Sequence, residues 1–225
     1  MKLHLPTSRT FKIAAASTVA GLSLAAGVVP AGASTAGPVA SFTKARCNQA
    51  ISERVFVLDI SAKRIGEVKR LTAGQKAAEI AGITAVRTNL TDVNRPALDA
   101  ATGKAAIKAA CQAIYADNRV YAVVMPQLFA TVRIDEFGNA FDKFNPLIAE
   151  KKAAGADTAA IEALMASTAT HVDTAAGLVS GITPDAFNSD PAGVRAKFAT
   201  AQNELQAALG DILHALVAYR DLPKA

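Results

Sequence analysis

Apolar residues recur at helical spacing along much of the chain. In the first clear example, Ile51, Leu58 and Ile65 lie seven residues apart, and other apolar residues fall beside them at spacings of three and four. This pattern is typical of one face of an amphipathic helix. We therefore predict a long helix from about Lys44 to about Arg70.

Two further helices are predicted in the same half. Thr72 with Gln75 three residues later forms a capping-box pattern, which predicts a helix start at this point. After the polar segment 89–94, Pro96 suits the first turn of a third helix. That helix is expected to run until Asp117 and Asn118 and to present Leu98, Ile107, Cys111 and Ile114.

The segment 120–125 has a different pattern. It is an unbroken apolar run rich in β-branched residues, closed by Pro126. Proline biases the residue before it toward an extended backbone, and β-branched residues favour strands. We expect an extended segment, with a fully buried stretch of helix as the alternative.

Two more helices are predicted after this segment. The first begins at Gln127 and is kinked or broken at Pro146, and it carries three phenylalanines at helical spacing, which are expected in the core. Asp157 can cap the next helix, which Gly181 and Pro184 close. The phenylalanines are Phe137, Phe141 and Phe144.

The last helix has the most regular pattern. Asp190 is a plausible N-cap and Pro191 suits the first turn. Apolar residues then alternate spacings of four and three from Val194 to Tyr219, as in a coiled coil. Three leucines widen this stripe, which predicts packing against more than one partner helix: Leu209, Leu213 and Leu216.

Composition supports helices throughout. The chain of 225 residues has 51 alanines and 12 aromatic residues, and alanine is the strongest helix former. We predict an all-α fold, an elongated antiparallel bundle or helical hairpins, with one short extended segment at 120–125. The helical domain is expected to span 44–225, with lobes 44–126 and 127–225 as an alternative division.

The start of the chain resembles a signal peptide. Three basic residues and no acidic residue precede an uncharged run at 13–29, which is followed by a small-x-small motif. This is the pattern of a cleavable secretory signal. We predict a signal peptide at 1–33, cleaved near Ala33 or alternatively Ala36, and a flexible leader at 34–43.

An uncleaved membrane anchor is the alternative for this segment, but the run is short and weakly apolar for a bilayer span. Removal of the predicted signal leaves 21 basic and 19 acidic residues. The basic residues are scattered among acids and no stacking aromatics are interleaved with them, which argues against nucleic-acid binding. We expect no stable membrane span after cleavage and a secreted or envelope-associated location.

The chain has two cysteines, Cys47 and Cys111. An even count in an exported protein favours a disulfide, and two free buried thiols are the alternative. Catalysis by either thiol is disfavoured because neither has a nearby His or a CxxC partner.

The surroundings of these cysteines resemble a known family. The segments Arg46–Arg54, Leu71–Thr72, Ala100–Thr102 and Ala110–Ile114, together with Arg119–Pro126, are similar to an exported helical family of actinobacteria. The match covers about residues 44–137, and its most specific part is Cys111 to Pro126. The resemblance implies that Cys47 and Cys111 form a pair, and it implies nothing about catalysis.

Common catalytic and cofactor motifs are absent from the sequence. It has no HExxH, GxSxG, P-loop, GxGxxG or CxxCH pattern, so metalloprotease, serine hydrolase, NTPase, dinucleotide and c-type haem functions lose their usual support. We predict no catalytic residue, no cofactor and no metal ligand.

Individual polar residues are interpreted structurally. We expect His171 at a helix surface or boundary, and His214 in a surface pair with Asp211. Adjacent Asp135 and Glu136 diverge by about 100° on a helix, which predicts an exposed turn. Arg119 and Tyr121 are interpreted as structural anchors, with contact to a partner as the alternative.

These features predict an exported, non-enzymatic helical protein with a structural or protein-interaction role at the cell envelope or outside the cell. A protein partner or self-association is expected. The alternative is a small-molecule or lipid carrier with an apolar cavity between helices near the phenylalanines, and an enzyme of unfamiliar type is the third hypothesis.

Overall fold

The computed structural model describes residues 42–69 and 71–223, so the predicted signal peptide and residues 34–41 of the predicted leader lie outside the described residues. The described residues belong to the compact unit Phe42–Ala225. Helices with short connections make up this part of the chain, which has no strand, and the predicted all-α class is confirmed. The α-helices are α1 (Lys44–Glu67), α2 (Ala73–Thr88), α3 (Arg95–Ala100), α4 (Gly103–Ala116), α5 (Met125–Ala153), α6 (Ala159–Val179), α7 (Pro184–Ser189) and α8 (Pro191–Asp221).

The first two helices form a hairpin with capped starts. The Thr43 hydroxyl accepts a hydrogen bond from the Arg46 backbone at the start of α1. At the start of α2, Thr72 and Gln75 make both hydrogen bonds of the predicted capping box. Caps of this kind satisfy backbone N–H groups that have no partner inside the helix.

One side of α1 lies in the larger of two main hydrophobic clusters. Ile51, Leu58 and Ile65 are all buried, as their spacing predicts. They pack with apolar side chains from the helices that follow, up to the start of α5. These side chains are Leu71, Ile83, Leu90, Leu98, Ile114, Val120, Met125 and Leu128.

The prediction of one continuous third helix is wrong. α3 ends at Ala100, and α4 begins at Gly103. Ala101 is extended, and Gly103 has a φ of +78°, a left-handed conformation that favours glycine. The glycine therefore permits a break that the apolar spacing does not reveal.

The predicted extended segment at 120–125 is also wrong. Val120–Val124 forms a π-helical turn that continues directly into α5. Its valines are buried in two directions, because Val120 joins the first main cluster while Val123 joins a smaller cluster with Phe187. A helix covered on several sides is apolar all round, so its sequence has no helical periodicity.

Another π-helical turn, Asn89–Asn94, joins α2 to α3. It is the first of the two along the chain, and Val120–Val124 is the second. In both cases a proline is the second residue of the following helix, Pro96 after this turn and Pro126 after the other. A proline ring clashes with the carbonyl four residues earlier in a regular α-helix and cannot donate a hydrogen bond. A wider π-helical turn relieves this conflict and keeps the chain helical.

Three asparagine side chains connect the Asn89–Asn94 turn to the residues that follow α4. The Asn118 amide oxygen accepts from Asn89 Nδ2 at 3.0 Å, and Asn118 Nδ2 donates to Asn94 Oδ1 at 2.7 Å. Asn118 is only 2% exposed. Because buried amide groups are costly without partners, this network fixes the ends of α2 and α4 against each other.

Residue Arg119 turns the chain between α4 and the second π-helical turn. It has a φ of 39° and is the one non-glycine residue with positive φ in the described ranges. Its Nε donates to Asn188 Oδ1 at 2.6 Å, and Asn188 Nδ2 donates to the Ala116 carbonyl at 3.1 Å. The guanidinium also lies over the Phe187 ring. Arg119 is thus a structural anchor between α4 and α7.

Two opposite faces of α5 are buried. Leu128 and Val132 pack in the first main cluster, whereas Phe137, Phe144 and Ile148 belong to a second main cluster with α6 and α8. These two sets lie about half a turn apart on the helix. The helix continues through Pro146 without the predicted break.

Helices α6 and α8 complete the second main cluster. Gln127 at the start of α5 donates to Val179 at the end of α6, and Lys152 at the end of α5 binds Glu162 at the start of α6. These contacts make α5 and α6 antiparallel. The predicted cap of α8 is present, since Asp190 Oδ1 accepts from the Gly193 backbone at 2.9 Å.

A disulfide joins Cys47 in the first turn of α1 to Cys111 in α4, with the two Cα atoms 5.6 Å apart. Both residues are buried in the first main cluster. The bond closes a loop with a sequence separation of 64. It therefore connects the beginning and the end of the α1–α4 region covalently.

We expect the Cys47→Ala/Cys111→Ala variant to lose about 4 kcal/mol of unfolding free energy, because a loop of this length constrains the unfolded chain strongly. Urea unfolding of both proteins, with and without reductant, measures the difference. Reductant should leave the double variant unchanged. Equal stability of oxidised wild type and variant would contradict the prediction.

We expect Asn118→Ala to lower the unfolding free energy by about 2 kcal/mol, because the Asn89 and Asn94 amides lose their buried partner. Asn203→Ala, at an exposed position of α8, is the matched control and should change stability by less than about 0.5 kcal/mol. Thermal or urea unfolding of the two variants tests this expectation.

Candidate functional site

A polar cluster that the sequence did not reveal lies where the start of α2 meets α5. Gln75 and Glu79 lie four residues apart on α2, and Asp135 and Asn139 lie four residues apart on α5. Residues at this spacing share one face of a helix. The contact of α2 with α5 is therefore made by two amides and two carboxyl groups.

Gln75 is the centre of this cluster. Its Oε1 accepts hydrogen bonds from the Thr72 backbone N–H at 2.9 Å, from the Thr72 hydroxyl at 3.0 Å and from Asn139 Nδ2 at 2.9 Å. Gln75 also makes a side-chain hydrogen bond with Asp135. One residue thus caps α2 and connects it to α5.

Glu79 and Asp135 are two acids in a partly buried position. Burial raises the pKa of Glu79, and the negative charge of Asp135 raises it further. Burial also raises the pKa of Asp135, while the hydrogen bond from Gln75 opposes that shift. Burial and a neighbouring negative charge both disfavour the charged form of an acid. Glu79 and Asp135 therefore hold their protons more tightly in the folded protein than free carboxyl groups do.

The prediction that Asp135 and Glu136 form an exposed turn is wrong. Asp135 is half-buried against α2, and Glu136 is only 9% exposed, with its Oε2 3.8 Å from Arg133 Nη1. Both sides of α5 are covered by other helices, which leaves few fully exposed positions in its middle. The spacing of residues on α5 does not reveal that helices pack against both of its faces.

An open depression lies beside the cluster. Its volume is about 320 Å³, and it is lined by side chains of the α1–α2 turn and of α5. Two lysines and one aspartate give it a mixed charge. The lining residues are Lys69, Leu71, Thr72, Asn139, Asp142 and Lys143.

A second polar group crosses between α6 and α8. His171 Nδ1 lies 2.6 Å from Glu204 Oε2, and His171 Nε2 lies 3.8 Å from Asp211 Oδ2. His171 occupies a boundary position, as predicted, with a third of its side chain exposed. Asp211 faces His171 across the helix contact, whereas the expected pairing was with His214 on its own helix. His214 itself is exposed.

Two tyrosines near the second π-helical turn hold an arginine. The Arg54 guanidinium lies 4.4 Å from the centroid of the Tyr115 ring and 5.2 Å from that of Tyr121. Cation–π contacts of this kind attach α1 to the chain around the turn. Tyr121 therefore has the anchoring role that was predicted for it, although half of its surface stays exposed.

The phenylalanines of α5 are core residues, as expected. Phe137 and Phe144 are buried and Phe141 is partly buried in the second main cluster. Phe144 meets Tyr219 edge to face, with ring centroids 5.3 Å apart. Side chains of α6 and α8 thus fill the space beside these rings, where a carrier would need a cavity.

The outer face of α8 is apolar and exposed. Leu213 and Leu216 are each 46% exposed and Val217 is 48% exposed. The prediction that α8 packs against more than one helix is confirmed, since α8 contacts α5, α6 and α7. Of the three leucines behind that prediction, Leu209 packs on the second main cluster, whereas Leu213 and Leu216 are exposed. Neighbouring helices cover the side of α8 that carries Ala208, Ile212 and Ala215. Because a helix turns by about 100° per residue, the residues that directly follow Ile212 and Ala215, Leu213 and Leu216, point away from that side.

The described residues contain no group of three or more His, Cys, Asp or Glu residues that could hold a metal ion. None of the helices between 42 and 223 has the length and apolarity required of a membrane span.

Comparison of the chain with protein-family models, with curated proteins and with solved structures found no match. The resemblance around the cysteines therefore stays a prediction. The chemistry of the site rests on the hydrogen bonds of Gln75 to Thr72 and Asn139, and on the raised pKa values of Glu79 and Asp135, which favour the protonated form of each carboxyl group.

We expect protonation of this pair to stabilise the fold. The folded-state pKa values of Glu79 and Asp135 lie above those of unfolded chains, so the folded state binds more protons and this contribution is lost as pH rises from about 4 through the raised values. Relative to wild type, Glu79→Gln should gain stability as pH rises toward about 7. Urea unfolding across this range measures the difference.

The quantity to compare is the difference in unfolding free energy between wild type and Glu79→Gln at each pH. Glu162 and Asp221 have lowered pKa values and therefore stabilise the fold as pH rises, but they do so equally in both proteins and cancel in the difference. Glu150→Gln removes an exposed carboxylate of α5 and serves as the matched control. A stability difference between wild type and Glu79→Gln that is constant over the pH range would contradict the prediction.

Proposed function

We propose that the protein is exported and has a non-enzymatic role outside the cytoplasm, where it binds a helix of another protein through the outer face of α8. The observation that carries this proposal is the exposure of Leu213, Leu216 and Val217 on one side of the longest helix in the described ranges. Large apolar side chains grouped on a surface mark interaction sites more often than single exposed ones.

The spacing of these three residues supports a helical partner. Positions i, i+3 and i+4 form a short stripe of the kind that packs against the apolar face of another helix. Gln206 and Gln202, about two and three turns before Leu213 on this side of α8, are polar and exposed. The apolar part of the face is therefore confined to the last turns, which fits a short docking segment.

Export is supported by two kinds of observation. The sequence begins with the charge and apolar pattern of a secretory signal, and the two cysteines are joined in the described structure. Structural disulfides form and persist in oxidising compartments. The resemblance to an exported helical family agrees with this interpretation.

A non-enzymatic role is supported by the positions of the reactive groups. Both cysteines of the chain are used in the disulfide. Glu79 and Asp135 are partly buried where α2 meets α5, and their raised pKa values favour the protonated form of each carboxyl group. His171 is held between two carboxylates of α8.

A photo-crosslinking amino acid placed at Leu216 in the native host tests the proposed surface. We expect one discrete adduct of defined mass, which is weakened when Leu213→Gln is added. The same amino acid at Asn203, an exposed position on a different side of α8, is the control and should give no such adduct.

An adduct of twice the protein's mass would show that the partner is a second copy of the chain and would contradict the proposal of another protein. No adduct at Leu213, Leu216 or Val217, in either the envelope or the medium, would overturn the interaction role. The Leu213→Gln variant should keep its stability within about 0.5 kcal/mol, because surface substitutions rarely cost more.

A further inference from the structure

A partly exposed arginine lies against two exposed tyrosines where α1 meets the end of α4 and the second π-helical turn. Arg54 Cζ is 4.4 Å from the centroid of the Tyr115 ring and 5.2 Å from that of Tyr121. The tyrosines are 37% and 51% exposed, respectively. We call these three residues the arginine–tyrosine patch. Its internal contacts attach α1 to the chain around the turn, and much of both rings still faces solvent.

The backbone at Arg119 brings the two tyrosines together. They are six residues apart, and on one continuous α-helix they would point about 120° away from each other. Arg119 instead has a φ of 39° and a ψ of 41°, a left-handed conformation that non-glycine residues adopt rarely, and it turns the chain between them. Asn188 and Phe187 hold the Arg119 side chain. The turn that forms the patch is therefore fixed by α7.

The patch has unused hydrogen-bond donors. Arg54 Nη1 donates to the Ala50 carbonyl at 2.9 Å, which leaves most of the five guanidinium N–H groups free. No carboxylate of the described residues lies within ion-pair distance of Arg54, and neither tyrosine hydroxyl has a hydrogen-bond partner among them. The planar fork of a guanidinium matches a carboxylate, and the phenol hydroxyls can donate to the same group.

The charges near the patch favour a single carboxylate over a polyanion. Glu53 directly precedes Arg54, and Asp117 follows Tyr115 by two residues; both acids are exposed. Two acids beside one arginine disfavour nucleic acid or an anionic membrane, which several clustered basic residues would attract. One carboxylate on an otherwise uncharged segment meets less repulsion, and Arg54 offers it a charged partner.

We propose that the arginine–tyrosine patch binds an acidic side chain, Asp or Glu, of a partner polypeptide. Arg54 pairs with the carboxylate, and the rings of Tyr115 and Tyr121 pack against the residues beside it. Tyrosine and arginine are enriched among the residues that contribute most binding energy in protein interfaces. Because the rings hold the guanidinium before the partner arrives, little side-chain freedom is lost on binding. This proposal does not depend on the outer face of α8.

Selection of short random peptides displayed on phage tests the patch on the full, disulfide-bonded chain. Peptides are enriched on wild type and depleted on Arg54→Gln, and their affinities are then measured by fluorescence anisotropy. We expect the enriched peptides to share an Asp or Glu. Replacement of that acid by its amide should weaken binding by roughly tenfold or more, because a hydrogen bond to a charged group contributes more than a neutral one.

Variants of the protein identify the groups that bind. Arg54→Lys keeps the positive charge but lacks the planar fork, and it should weaken binding by roughly tenfold. Tyr121→Phe keeps the ring over Arg54 and the fold, and loss of the hydroxyl should weaken binding by roughly threefold. Arg46→Lys, at an exposed position in the first turn of α1, is the matched control and should bind as wild type. Thermal unfolding checks that each variant is folded.

Other results would overturn the proposal. Peptides that bind equally well after the change of acid to amide would show that no carboxylate is recognised. Failure to enrich any peptide on wild type over Arg54→Gln would show that the patch is only a structural contact. Displacement of the peptides by inorganic phosphate at lower concentration than by acetate would assign the patch to a phosphate group. Self-association of wild type that Arg54→Lys abolishes would assign it to a second copy of the chain.

Discussion

The packing of α5 on two opposite faces is the constraint on which the rest of the structure depends. One face closes the first main cluster around Leu128, and the other supplies Phe137 and Phe144 to the second. Neither cluster would be covered without this helix. Because both faces of α5 pack against other helices, many of its polar residues lie close to those helices and form hydrogen bonds or ion pairs there.

This constraint explains why polar groups occur at helix contacts throughout the fold. Asn118 is satisfied by two other asparagines, and Gln75 accepts three hydrogen bonds through one oxygen. Amides suit such positions because they donate and accept at the same time. Carboxylates only accept hydrogen bonds, and at Glu79 and Asp135 burial raises the pKa of each group, with the charge of Asp135 adding to the shift at Glu79.

Local patterns were sufficient to predict the helices with clear stripes and caps. The capping box at Thr72 and the regular spacing after Asp190 identified α2 and α8 with nearly the bounds that the structure shows. The π-helical turn at Val120–Val124 was missed because residues buried in two directions lose their periodicity. The break before Gly103 depends on a backbone conformation that apolar spacing does not report.

The polar cluster could not be predicted for a different reason. Asn139 lies 64 residues beyond Gln75 in the chain, and the pairing of α2 with α5 follows from tertiary packing alone. The sequence did contain one signal, since a capping box takes either Glu or Gln at this position and this chain uses Gln. That choice becomes informative only when the neighbouring Asp135 is known.

The position of the disulfide affects the order in which the chain can assemble. Both cysteines and nearly all of the first main cluster precede α6. Because synthesis delivers the N-terminus first, α1 to α4 can pack together and bring the two cysteines close before the later helices have emerged. One face of α5 then stays uncovered until α6 and α8 pack against it.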